Sequence, residues 1–289
     1  MKESSFLMGT VVEITVEHED RMLAKKVIQD AFHEGERIEK LLSGFKKDSE
    51  VSRINLKAGI ERVNVSEDFL YVIGKVLYYS GLSGGAFDIT VGPLLDLWGF
   101  CGGERRIPGE AEIREVMPLV NYRNVNVNRE GGIVKLEKRG MKIDLGGIAK
   151  GYVVDRMVGI LKSGGINRAI VNAGGDIYAL GSPAGESGWK VGVRDPRNHD
   201  SVVRVLSVSD RAVATSGDYE KFFFKDGKRY SHIIDPRIGV PASGVVSVTV
   251  IAKTATEADA LATTLFVLGE EDGEKLIRKL ESVEALFLF

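Results

Sequence analysis

The residues best suited to chemistry lie in two separated segments, Asp144-Leu-Gly-Gly-Ile-Ala-Lys-Gly151 and Thr256-Glu-Ala-Asp-Ala-Leu-Ala-Thr263. In the second, Asp259 and Thr263 stand four positions apart, which on a helix puts their Cβ atoms about 5–6 Å apart on one face. A carboxylate and a hydroxyl so placed can share one hard cation, since Mg²⁺ takes oxygen ligands and needs few of them from protein. In the first, Gly146-Gly147 ahead of a helix leaves backbone N–H groups at the positive end of the helix dipole, a natural seat for phosphate. This is not a Walker A loop, because Gly151 is followed by Tyr152, nor a Rossmann fingerprint, because Ile148 fills a required glycine position. Each segment also has a plainer reading. Asp144 can cap the following helix, and Thr256-x-x-Asp259 resembles a capping box with Glu257 and Asp259 in the first turn. From the residues alone, capping and metal binding weigh evenly for Asp259.

Other segments supply partners. Ser231-His232-Ile-Ile-Asp235-Pro-Arg237 sets a histidine in an apolar stretch. Such a residue is commonly a satisfied core histidine, yet imidazole can take a proton from a hydroxyl near neutral pH. Ala214-Thr-Ser-Gly-Asp-Tyr219 offers hydroxyls and amides, or simply a turn, and Asn172-Ala-Gly-Gly-Asp176 reads as a turn after a strand. The stretch from Gly85 to Gly99, dense in glycine, aromatic and acidic residues, could wall a planar ring or form a core loop.

The elements that must hold these residues follow from periodicity. Residues 10–17 alternate as a strand, and Ala24, Ile28, Ala31, Gly35, Ile38 and Leu42 form a helical stripe within 20–43. A second helix is expected over 67–83, a loop around Gly102 to Pro108, and a third helix from about Gly147 to Gly164. Strands follow over 169–172, 176–180, 189–193, 202–208, 212–215 and 220–224, then an Asp226-Gly227 hairpin and a return strand over 230–234. A strand over 245–252, helices from about Thr256 and Asp272, and a last strand over 285–289 complete the pattern. Hairpin-linked strands with grouped helices point to an α+β fold, mainly antiparallel sheet, rather than a βαβ repeat.

The bulk properties exclude more than they assign. With 39 basic and 41 acidic residues the formal charge is −2, so no global field favours nucleic acid or an anionic membrane. Cys101 is the single cysteine, which rules out an intrachain disulfide or a thiolate zinc cluster and reads as a small buried apolar residue. No apolar run reaches membrane-spanning length and the first residues lack a signal-peptide core, so the chain as given reads as cytoplasmic, with a removed export signal or lipoprotein anchor as the alternative.

Taken in order, Met8-Gly-Thr10, Ser49-Glu-Val-Ser-Arg-Ile-Asn55, Gly85 to Gly99, Asp144 to Gly151, Asn172 to Asp176, Thr215 to Tyr219, Ser231 to Pro236 and Thr254 to Gly269 resemble the ApbE family of FAD:protein FMN transferases. The resemblance spans nearly the whole chain. It implies a single domain over 1–289 of T-fold-like architecture, with the option of two subdomains enclosing an FAD cleft. The implied reaction is magnesium-dependent cleavage of FAD, with FMN passed to a Ser or Thr hydroxyl of an acceptor flavoprotein and AMP released. Carried over by position, the resemblance places the metal on Asp259, Thr263 and the Gly147 carbonyl, and makes His232 the base. It places flavin contacts at Met8, Phe45, Ala86, Phe87, Asp88, Asp144, Lys150 and Ile234. Some members of the family instead hydrolyse FAD to FMN and AMP and carry Asn near the position of Phe45, so the aromatic residue here argues for transfer. A flavin-binding protein without turnover is the alternative from another class.

Overall fold

The structure, a computed structural model, describes residues 1–198 and 201–289. The chain opens with strands β1 (Lys2–Leu7) and β2 (Thr10–Val16), followed by helices α1 (Arg21–Leu42) and α2 (Glu50–Leu56). Then come β3 (Val63–Asn64), α3 (Glu67–Leu82), α4 (Gly92–Leu97), α5 (Glu110–Val116), β4 (Val125–Asn128), β5 (Ile133–Leu136) and α6 (Ala149–Ser163). A run of strands follows: β6 (Ala169–Ala173), β7 (Asp176–Leu180), β8 (Trp189–Arg194), β9 (Val202–Val208) and β10 (Arg211–Gly217). Short strands β11 (Phe222–Lys225), β12 (Lys228–Ser231), β13 (Ile234–Asp235) and β14 (Val240–Pro241) precede β15 (Ser247–Ala252), α7 (Ala255–Ile277) and β16 (Glu284–Leu288).

Seven strands form one sheet in the order β1-β2-β6-β7-β10-β15-β16, and every pairing in it is antiparallel. Its inward side chains, among them Ile14, Val171, Val248 and Val250, meet the buried stripes of α1, α6 and α7. The α1 stripe is the one the spacing predicts, with Val27 added. On the opposite face the β8–β9 ribbon packs Val191 and Val208 against Ala179 and Val213. A separate cluster of Leu94, Leu95, Trp98, Val120 and Ile234 binds the α4–α5 excursion to the short strands, and the Trp98 indole N–H donates to the Gly239 carbonyl at 3.0 Å. That cluster raises a wall beside the sheet. Among the described residues no helix is long and apolar enough to cross a membrane.

Two elements stand where periodicity assigned none. The N-terminal segment is a strand, its partner set by a two-residue turn in which Met8 (φ 53°) and Gly9 (φ 73°) both adopt the left-handed region, the geometry of a tight hairpin. The segment after α1 holds a short helix, α2, capped by the Ser49 hydroxyl, which accepts from Ser52 N at 3.0 Å. At the C-terminal end the two expected helices are both present within α7, separated at Gly269, whose φ of 76° and ψ of 179° interrupt the helical path three residues before Asp272.

Candidate active site

The N-termini of α6 and α7 meet, and each helix satisfies amides the other leaves unpaired. Asp155 of α6 accepts from Ala255 N and Thr256 N, both at 2.8 Å, and from the Thr256 hydroxyl at 2.5 Å. In return Asp259 Oδ2 accepts from Gly151 N, in the first turn of α6, at 3.0 Å. First-turn amides have no partner within their own helix, so these carboxylates act as tertiary caps. Only glycine fits at 151: a Cβ there would lie 2.2 Å from the Ala255 carbonyl oxygen and 2.9 Å from Asp259 Cβ.

Both capping expectations are thereby corrected. Thr254 is the N-cap of α7, its hydroxyl accepting from Glu257 N at 3.2 Å, because Thr256 lies inside the helix with its hydroxyl turned to Asp155. Asp144 does not cap α6, since its Oδ1 accepts from Gly146 N at 2.7 Å within the turn and the helix begins only at Ala149.

One helical turn beyond Asp259, Thr263 abuts the glycine turn. A Cβ on Gly147 would sit 3.0 Å from Thr263 Oγ1 and 3.2 Å from a Phe87 ring carbon. The two segments, distant in sequence, are therefore in contact. The Thr263 hydroxyl also lies 3.2 Å from Ser216 Oγ on β10.

The charges here do not balance. Lys150 Nζ is hydrogen-bonded to Asp176 Oδ2 and lies 3.7 Å from Asp259 Oδ1, so two buried carboxylates share one ammonium. Burial, reinforced by the neighbouring Asp259, pushes the Asp176 carboxyl up to about 7 in spite of Lys150. Burial alone would lower the Lys150 ammonium, but the two carboxylates outweigh it and hold it above its usual range. Uncompensated charge away from water is costly, and a cation at Asp259 would relieve it. Among the described residues no group of three or more His, Cys, Asp or Glu side chains gathers to hold a metal. An ion here would rely on the Asp259 carboxylate, the Thr263 hydroxyl and the Gly147 backbone, an all-oxygen set that suits Mg²⁺ completed by ligand oxygens.

These residues line a cleft of about 340 Å³, which every predicted site residue borders. The volume is within the range of small-molecule sites. His232 borders the same cleft from the short-strand wall. Its Nδ1 lies 3.1 Å from the Lys221 carbonyl oxygen, which can only accept, so Nδ1 carries the proton and Nε2 presents a lone pair. Burial, with the charges of Lys221, Lys150 and Arg105, pulls the imidazole down to about 4 and keeps it neutral at physiological pH. Ile234 closes the same wall and is buried, as are Ala86 and Phe87 opposite. Asp88 borders the cleft, but its oxygens are taken: Oδ1 accepts from Thr90 N at 2.8 Å and from the Thr90 hydroxyl at 2.6 Å, and Oδ2 from Tyr122 N at 2.7 Å. It shapes the wall around Phe87. At the mouth stand Met8, at its left-handed turn, and Phe45, whose side chain is 79% exposed. Cys101 is half-buried, packed against the Leu94–Trp98 cluster while also bordering the cleft, with burial raising its thiol to about 11.

A model of the ApbE family matches residues 8–287. The chain belongs to the ApbE family. A FAD:protein FMN transferase of Treponema pallidum is 35% identical across 99% of this chain and 83% of its own length. One from Vibrio cholerae is 37% identical across 92% of this chain and 80% of its own length. Among solved structures, the ApbE protein of Thermotoga maritima superposes with a TM-score of 0.92 at 39% identity, covering 99% of this chain and 93% of that one. The flavin transferase ApbE of Vibrio cholerae superposes with a TM-score of 0.88 at 34% identity, covering 99% and 92%. The α+β fold with antiparallel sheet is thus that of an enzyme family.

Two participants escaped the sequence reading. Asp176 was visible only as the end of a glycine turn; the signal was an acid at the first, buried position of a strand directly after Gly174 and Gly175, both at positive φ. Ser216 lay in a segment offering several hydroxyls, and nothing local distinguished it from Thr215, which instead pairs with the Thr249 hydroxyl at 2.8 Å.

Proposed function

We propose that this protein is a magnesium-dependent FAD:protein FMN transferase that places FMN on a Ser or Thr hydroxyl of an acceptor protein and releases AMP. The observation that carries the reading is the contact of Thr263 with the Gly147 turn and of Asp259 with Gly151, in a cleft that a neutral His232 also lines. Kinship supports it, since relatives across nearly the full chain bear that name.

In this reading Met8, Phe45, Ala86, Phe87 and Ile234 enclose the isoalloxazine ring, and Asp144 and Lys150 orient the ligand around the glycine turn. Asp259, Thr263 and the Gly147 carbonyl hold Mg²⁺, which when bound offsets the charge of the pyrophosphate. His232 Nε2 accepts the proton of the acceptor hydroxyl, its oxygen forms a bond to the FMN phosphorus, and the bond from that phosphorus to the bridging oxygen breaks, so that AMP departs with the oxygen. The low basicity of His232 suits a group that must stay unprotonated, and the nearby phosphates would raise it toward the operating pH. The chain works as one domain over 1–289, the α4–α5 excursion and the short strands forming one wall of the FAD cleft. Incubation with FAD, Mg²⁺ and a domain carrying an acceptor Thr should give an FMN adduct by mass and AMP in equal amount. AMP without adduct would instead indicate a FAD pyrophosphatase, and FAD retained without AMP a flavin-binding protein.

A further inference from the structure

Glu39 lies in the last turn of α1, where a carboxylate faces the negative end of the helix dipole and is poorly placed for helix stability. Its bonds show what keeps it there. Oε1 accepts from Met8 N at 2.8 Å, and Oε2 accepts from Lys46 Nζ at 2.5 Å. Its own carbonyl receives Ser43 N at 3.0 Å, closing α1 just before Phe45. The side chain is only 16% exposed, and both contacts are partly buried.

Met8 and Phe45 are the two side chains at the cleft mouth, and they come from unrelated elements, the β1–β2 turn and the loop after α1. Met8 occupies a left-handed conformation at φ 53°, which costs a residue with a side chain of order 1 kcal/mol or more and persists only under outside constraint. Phe45 is exposed, with its backbone N–H donating to Ser43 Oγ at 3.3 Å.

We infer that Glu39 is a positioning residue: one carboxylate ties the Met8 turn to the Phe45–Lys46 loop and so holds the two lips of the cleft at the spacing that admits the flavin ring. The inference rests on the flavin reading of the cleft. Its effect falls on binding of the ring and not on phosphoryl transfer, because Glu39 touches neither the Asp259–Thr263 floor nor His232.

The test is a fluorescence titration of the full chain with FAD in the presence of Mg²⁺, alongside steady-state transfer. In Glu39→Ala the FAD dissociation constant and KM rise together by about tenfold, while kcat at saturating FAD stays within about threefold. Glu39→Gln, which keeps an acceptor for Met8 N, recovers most of the affinity, and Lys46→Ala loses less than Glu39→Ala. If Glu39→Ala does not fold, the Gln and Lys46 variants still carry the comparison. Unchanged FAD affinity in all variants, or a fall in kcat matching the fall in kcat/KM, overturns the inference. A wild-type protein that binds no FAD overturns the flavin reading as well, so the two failures are distinguishable.

Discussion

At the scale of single residues, Asp259 does two jobs that pull in different directions. Through Oδ2 it caps α6, and through Oδ1 it adds charge to a site already holding Asp176. Asp259→Asn should therefore cost transfer activity roughly 10²–10³-fold, the size of effect seen when a group stabilising developing charge is removed. Thr263→Val should also depress activity yet change unfolding free energy by less than about 1 kcal/mol, because only a single hydroxyl contact to Ser216 is lost. Chemical denaturation beside initial rates checks both. The pH dependence has a definite sign. His232 falls from 6.5 to about 4, so the unfolded chain binds the extra proton between those values and stability rises with pH across that window. Asp176 rises from 3.8 to about 7, so the folded chain holds the extra proton and stability falls as pH climbs from about 4 to 7. The two slopes oppose each other. Asp176→Asn should steepen the rise of stability between about pH 4 and 6.5 relative to wild type, which denaturation curves at several pH values would show. In kinetics the acid limb of kcat/KM, which reports the free enzyme, should lie below 6.5 and vanish with His232→Gln.

At the scale of elements, the reciprocal capping of α6 and α7 is what turns two separated segments into one site. Gly151→Ala should force the helices apart and cost about 3 kcal/mol, the upper end of ordinary single substitutions, together with loss of activity. Asp155→Ala lies farther from the ligand and should cost about 1–3 kcal/mol by stranding the first amides of α7. Thermal and denaturant unfolding test both. The same elements show how far sequence can be read. The α1 stripe was legible because helical periodicity is local, and the β11–β12 hairpin because Asp226-Gly227 dictates its turn. The caps were not. Which carboxylate serves which helix end depended on a contact spanning about a hundred residues, so Thr256 and Asp144 each looked like a local cap while Asp155 carried no local signal. Strand β1 was missed because Lys2 to Ser5 is polar and mostly exposed, leaving no apolar alternation to detect. The Ser49 to Asn55 segment shows the converse. It matched the family pattern, yet its role is structural: Glu50 accepts from Ser66 N and its hydroxyl, both at 2.9 Å, and the Asn55 amide clasps the Ile143 backbone at 2.7 and 3.0 Å, one residue before Asp144.

At the scale of the whole molecule, the site is assembled from every part of the chain: the N-terminal hairpin and the loop after α1 at the mouth, the α3–α4 connection and the short strands as walls, α6 and α7 as floor. The residues at the cleft were recognised in sequence as an ordered set of weak motifs, each with a plausible structural reading, and only the fold brings Met8, Asp144, His232 and Thr263 around one cavity. The near-neutral net charge matters to the proposed function, because no long-range field gathers anions and an ion arriving with its ligand would offset the local imbalance at Asp176 and Asp259. Mg²⁺ and FAD should thus bind cooperatively: Mg²⁺ affinity measured with saturating FAD should exceed that without it, and equal affinities would count against a shared shell. In the proposed function, FAD cleavage is coupled to acceptor modification at the Asp259 site. Mass spectrometry of an acceptor domain after incubation with FAD should show an FMN adduct with wild-type protein and Mg²⁺, and none with chelator or with Asp259→Ala. An adduct that forms equally well with chelator, or with Asp259→Ala, would contradict the account.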